Sequence, residues 1–118
     1  MLSSMTAFFA AWSETDAAKR ADVLQSTIAE TFSYCDPNTA ESIGDLETLN
    51  SYIGLFIQYA PGAIAAVVNC SATQSHHRVT VAFRMADGSE KLGQYFVELD
   101  AEGRATRMVG FAGLGEPE

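Results

Sequence analysis

The segment His77-Arg78-Val79-Thr80-Val81-Ala82-Phe83-Arg84 constrains the fold more than any other stretch of the chain. Val79, Val81 and Phe83 recur at every second position with His77 in line, while Arg78, Thr80 and Arg84 fall between them. Successive strand side chains point to opposite faces, so this is a half-buried strand whose apolar face needs a cover. Strand patterns run near 63–74, 76–86, 89–100 and 104–112. Asp87-Gly88 and Glu102-Gly103 mark two of the turns, which predicts an antiparallel meander. The register of the central hairpin decides which side chains meet the cover. A three-residue loop Ala86-Asp87-Gly88, with Gly88 left-handed, pairs Met85 with Ser89, Val79 with Tyr95 and Val81 with Gly93. Tyr95 and Val97 then join the apolar face. A two-residue loop would put Gln94, Phe96 and Glu98 there instead. The first register is preferred because it gathers more polar side chains on the solvent side.

The first half of the chain reads as the helical cover. Phe8, Phe9, Ala11 and Trp12 make an apolar face on a short helix. Thr15-Asp16 offers an N-cap to a second segment, with Val23, Leu24 and Ile28 at helical spacing. Thr31 to Cys35 alternates as a short strand, and Asp36-Pro37 stops it because proline cannot donate to a ladder. Gly44-Asp45 opens a third helix with Leu46, Leu49, Ile53, Phe56 and Ile57 on its inner face, and Pro61-Gly62 ends it. Helices first and a sheet afterwards give an α+β class. With 118 residues, 47% of them apolar, the chain supplies one core and reads as a single domain over 1–118. Its Gly- and Pro-containing tail, from Gly113 onward, is expected to fray.

Charge and cysteine usage narrow the function classes. Seven basic residues against 15 acidic ones give a net charge of −8. Nucleic acid and anionic membranes need clustered Lys and Arg, so neither is an expected partner. Cys35 and Cys70 are the two cysteines, fewer than a small secreted domain often carries, and read as free thiols in a reducing compartment. No Cys/His spacing suggests a metal, and no cofactor is expected. Met1-Leu2-Ser3-Ser4-Met5 has no basic n-region, and the apolar stretch Ala7 to Trp12 is too short to span a bilayer. A cytoplasmic protein is the expectation.

Several short motifs then fall in a suggestive order. Tyr34-Cys35-Asp36-Pro37 follows the helices, Gly44 opens the third helix, and Pro61-Gly62 closes it. Gly93, Leu99-Asp100-Ala101-Glu102-Gly103-Arg104 and Val109-Gly110-Phe111 come later. In order and spacing, over roughly residues 5–113, the chain resembles the SnoaL-like, nuclear-transport-factor-2-like superfamily. The resemblance implies a curved sheet wrapped around helices as a cone, with a pocket for a small, mostly apolar organic ligand inside. Superfamily members include cyclases, isomerases, epoxide hydrolases, dehydratases and plain binding domains, so fold does not imply a reaction.

Residue by residue, Asp36 matches the general-base aspartate of the ketosteroid isomerases that the Asp-Pro step resembles. A base of that kind is a carboxylate held in an apolar site, where burial raises its pKa. The same residue also suits a turn cap. Those isomerases use a tyrosine and a protonated aspartate as enolate donors. At the matching places stand Phe8 or Phe9 and Tyr95, so one donor is missing and the other is changed in type. Tyr95 suits a phenol donor at the pocket wall, and His77 an optional second acid or base. Trp12, Tyr34, Tyr52, Phe56, Tyr59, Val79, Val81, Val97 and Met108 are the candidate pocket walls. Arg84, Phe96, Val109 and Phe111 mark an outer sheet face too sticky for free solvent, through which the resemblance implies a homodimer. Two classes of function stay open: an isomerase, cyclase or lyase using Asp36 as base, and a non-catalytic binding or dimerisation module.

Overall fold

In the computed structural model, which describes residues 3–115, α1 (Ser3–Ala10) runs into a 3-10 turn (Ala11–Ser13) and then α2 (Ala17–Thr27). β1 (Ile28–Cys35) and α3 (Leu46–Tyr59) follow, and then β2 (Ile64–Thr73), β3 (His76–Arg84), β4 (Glu90–Leu99) and β5 (Ala105–Ala112). The helix starts obey capping chemistry. The Asp16 carboxylate accepts the N–H groups of Ala18 and Lys19, and the Asp45 carboxylate accepts that of Thr48 at 2.8 Å. α3 buries Leu49 and Ile53 completely and half-buries Leu46, Tyr52, Phe56 and Ile57 around them, the stripe its spacing predicts.

Five strands form one curved, unclosed sheet in the order β1-β5-β4-β3-β2. β2 to β5 make the expected antiparallel meander. The three-residue loop is present: the Met85 N–H donates to Ser89 O at 2.8 Å, and Gly88 takes φ +89°. Val79 therefore faces Tyr95, and Val81 faces Gly93.

Two local expectations are corrected. Ile28 is not helical: it has φ −109° and ψ 149° and opens β1, three residues before the expected strand start. The Thr27 hydroxyl donates back to Leu24 O at 2.8 Å, and the β-branched Thr27-Ile28 pair favours leaving the helix there. The sheet is also not wholly antiparallel, because β1 pairs parallel with β5, Tyr34 against Met108 and Cys35 against Val109. Of the tail expected to fray, 113–115 carry no regular element, though the Gly113 N–H still donates to Leu92 O at 2.9 Å. Residues 116–118, like Met1 and Leu2, lie outside the described residues.

The core lies between the concave sheet face and the helices. Met5, Phe8 and Phe9 of α1 are wholly buried against Val79, Val81, Val97 and Met108. The Phe9 ring centre is 4.9 Å from that of Tyr95. Each such phenylalanine contributes about 1.5–3 kcal/mol by leaving water. α2 is tied to α3 by Arg20, whose buried guanidinium donates to the Asn50 side chain and to Glu14 O.

Candidate functional site

Asp36 is the first residue past β1, and its backbone is held by a local turn. The Asp36 N–H donates to the Thr39 hydroxyl at 3.1 Å, and that hydroxyl donates to Asp36 O at 3.0 Å. Asp36 Oδ1 accepts the Asn38 N–H at 2.8 Å, as an aspartate-initiated turn requires. Tyr34 sits two residues earlier on the same strand face, which brings its hydroxyl to Asp36 Oδ2 at 2.6 Å. Tyr52 reaches in from α3, with its hydroxyl 2.7 Å from both carboxylate oxygens. Tyr95, placed inward by the hairpin register, brings its hydroxyl to within 3.0 Å of that of Tyr34. Gly110 makes this convergence possible. It pairs with Tyr95, and a Cβ there would lie 2.6 Å from the Tyr95 ring and 3.0 Å from Asp36 Cβ.

The direction of the hydrogen bonds follows from acceptor inventory. An ionised carboxylate only accepts, so Tyr34 and Tyr52 both donate to Asp36. The Tyr34 proton is then spent, and Tyr95 donates to Tyr34 O. All three phenols hold their protons more tightly than a free tyrosine. Burial is the largest cause in each case. For Tyr34 the neighbouring Tyr95 and Asp36 charges add to it; for Tyr52 the hydrogen bond to Asp36 does. For Tyr95 the Asp36 charge adds to it.

This cluster forms the inner end of a cleft of about 570 Å³. Trp12, Phe56 and Phe83 make its aromatic wall, with ring centres 5.2–5.9 Å apart. Leu55, Tyr59, Met85 and Leu92 continue the wall outward, and Lys91 and Asn38 also line it. Tyr59 is 84% exposed, which places it at the mouth. Of the residues named from sequence, Asp36, Tyr95, Tyr52, Trp12, Phe56 and Tyr59 line this one cleft.

The others do not line it. Val79, Val81, Val97 and Met108 face inward as expected but lie in the packed core, because Phe8 and Phe9 fill that half of the cone. Tyr34 is also core, with 1% of its surface exposed, and touches the site only through its hydroxyl. His77 pairs with Val97, two residues along β3 from Val79, and that step carries it about 7 Å away from the Tyr95 level. It lines a second depression of about 360 Å³ with Ser71, Thr73, Tyr95 and Phe96, and does not line the cleft that holds Asp36. Its Nδ1 is buried without a partner, as is the indole N–H of Trp12.

Sequence reasoning missed Gly110, Phe83 and Leu55 as site residues. Gly110 carried a usable signal, a glycine between large side chains in an alternating strand. Leu55 carried none, since it lies off the buried stripe of α3. Among the described residues no group of three His, Cys, Asp or Glu side chains is placed to hold a metal ion. No helix there is long and apolar enough to cross a membrane.

No family model and no curated protein matches the sequence. Solved structures do match in three dimensions. A SnoaL-like family protein from Agrobacterium tumefaciens, described as a candidate isomerase, superposes with a TM-score of 0.83 at 24% identity, covering 96% of this chain and 97% of that one. A protein of ketosteroid isomerase-like fold from Catenulispora acidiphila, solved with trimethylamine, gives 0.75 at 13% identity over 95% and 86% of the two chains. An epoxide hydrolase from Mycobacterium tuberculosis gives 0.67 at 14% identity over 95% and 81%. The chain has the SnoaL-like, nuclear-transport-factor-2-like fold.

Proposed function

We propose that this chain binds one small, mostly apolar organic molecule in the cleft, with Asp36 accepting a proton or a hydrogen bond from it. The observation that carries the reading is the carboxylate of Asp36, fixed by Tyr34 and Tyr52 at the inner end of an aromatic cleft of about 570 Å³. Sites of this size bury a small ligand with apolar walls and orient it with few polar groups. Fold neighbours described as a candidate isomerase, a candidate polyketide cyclase and an epoxide hydrolase support extending the reading to chemistry. In that extension Asp36 is the general base of an isomerase, cyclase or lyase step. The phenols keep the base oriented.

The chain's one tryptophan lines the cleft, so ligand entry is readable from its fluorescence. Mono- and bicyclic compounds screened this way are expected to give saturable changes, and Asp36→Asn to weaken them. Hits that stabilise the protein without touching Trp12 emission overturn the reading of the cleft. For the base, bound hits transferred to D₂O are followed by NMR. Wild type is expected to exchange one ligand C–H, and Asp36→Asn to slow it by roughly 10²–10⁴-fold. Binding with no exchange in wild type leaves a non-catalytic binding module.

The reading extends to assembly and location. Phe111 is 58% exposed beside the half-buried Val109 and Phe96, while Arg84 is tied to Glu90 at 3.0 Å. This supports a two-fold homodimer through the outer sheet face. Cys35 and Cys70 are free, which supports a reducing, cytoplasmic setting.

A further inference from the structure

The direction of the phenol protons says more about the ligand than the shape of the cleft does. With Asp36 ionised, Tyr34 and Tyr52 donate to it, and Tyr34, its one proton so used, accepts from Tyr95. Every hydroxyl proton of the cluster is thereby spent inside the cluster. What Asp36, Tyr52 and Tyr95 turn toward the cleft is lone pairs and a negative charge. A carbonyl oxygen entering there meets only acceptors from the cluster, the donor side chains of Asn38 and Lys91 belonging to exposed residues of the lining, and unpaired acceptors in a desolvated site are costly. The Trp12 indole N–H does not change this, because it is shut off from the cleft surface.

Neither ion pair found among the described residues, Arg84–Glu90 and Arg107–Glu98, involves Asp36. Lys91 also lines the cleft, but it is an exposed residue on β4, one residue past the strand start, whereas Tyr34 and Tyr95 are almost fully buried. Tyr52 adjoins the carboxylate, and Trp12, Phe56 and Phe83 line the same cleft, with π systems that attract cations.

We infer that the group seated against Asp36 is a protonated amine, so that the ligand class is a small aromatic or alicyclic ammonium ion. This rests on the ligand-binding reading above and specifies it. The ammonium donates to Asp36, in competition with Tyr52, and to the Tyr95 oxygen, and its apolar body lies along Trp12 and Phe56.

Four probes of similar shape test this by titration against Trp12 fluorescence near neutral pH: benzylammonium, benzyl alcohol, acetophenone and benzoate. Benzylammonium is expected to bind about tenfold or more tightly than acetophenone or benzoate, with benzyl alcohol between. Asp36→Asn is expected to bring benzylammonium down to the acetophenone level. Tyr52→Phe keeps the charge and frees a carboxylate lone pair, so it is expected to tighten benzylammonium severalfold. It also serves if Asp36→Asn does not fold. Acetophenone or benzoate binding as tightly as benzylammonium overturns the ammonium inference and leaves the cleft a ligand site. Acetophenone binding that weakens in Tyr52→Phe also overturns it, because the phenol would then be donating to a carbonyl ligand. No saturable response to any probe removes the ligand-binding reading together with it.

Discussion

Gly110→Ala tests whether the phenol–carboxylate cluster is built on the close approach of β5 to Tyr95. The added Cβ would sit 2.6 Å from Tyr95 Cε2 and 3.0 Å from Asp36 Cβ. Carbon atoms settle about 3.5–4.0 Å apart, so the ring must move by about 1 Å. Phe9, with its ring centre 4.9 Å from that of Tyr95, leaves little space for the move. Overpacking a core costs about 1–3 kcal/mol. The 3.0 Å bond from Tyr95 to Tyr34 breaks on the same displacement, and an unpaired buried hydroxyl costs about 1–3 kcal/mol more. These overlap, and a net loss of about 2–4 kcal/mol is expected. For 118 residues the unfolding entropy is about 0.25 kcal/mol/K, so the melting temperature falls by about 8–16 °C. Gly88→Ala is the control. Its Cβ meets nothing, and only the strain at φ +89° counts, for about 1–2 kcal/mol. A Gly110→Ala protein melting within about 2 °C of wild type refutes the close-approach argument.

Three further outcomes are expected. Tyr34 and Tyr95 hold their protons above the ordinary tyrosine range, so their contribution is complete below the unfolded value of about 10 and is lost as pH rises past it. Denaturant midpoints taken at successive pH values should show stability falling by about 2–3 kcal/mol per pH unit above pH ~10, and a flat profile there contradicts the buried network. Asp36→Asn should destabilise by about 1–3 kcal/mol in urea melts at neutral pH, since it weakens an acceptor shared by two phenols and a backbone N–H; an unchanged midpoint argues against the hydrogen bonds. Light scattering at micromolar concentration should report a dimer for wild type and a monomer of nearly unchanged melting temperature for Phe111→Glu, and a monomeric wild type removes the proposed interface.

Much of the fold was legible because it rests on local signals. The alternation in β3 and the turn chemistry of Asp87-Gly88 placed Tyr95 on the inner face, and the Asp45 cap and the Leu49–Ile53 stripe placed α3. What stayed illegible depends on contacts distant in sequence. The parallel pairing of β1 with β5 has no local signature, yet it sets Asp36 beside Gly110. Tyr34 and Tyr52 each read as wall material, and only the folded chain turns both hydroxyls onto one carboxylate. The split of the inward-facing residues into packed core and open cleft was equally hidden, since Val79 and Phe83 share one strand face and one alternation.

That split follows from where α1 ends. Phe8 and Phe9 fill the concave face over Val79, Val97 and Met108, and α1 then gives way to the 3-10 turn at Ala11–Ser13. Trp12, the large side chain of that turn, becomes the floor between the filled half and the open half. The polar cluster sits on that boundary, and its position answers an energetic requirement. Tyr34 and Tyr95 are too buried to give their hydroxyls to water, so they need a protein acceptor. Asp36 is that acceptor, through Tyr34, while its other oxygen fixes the turn that keeps it in place. The turn and the cluster are therefore one arrangement: the buried phenols hold the carboxylate still, at the edge of the cleft that it lines.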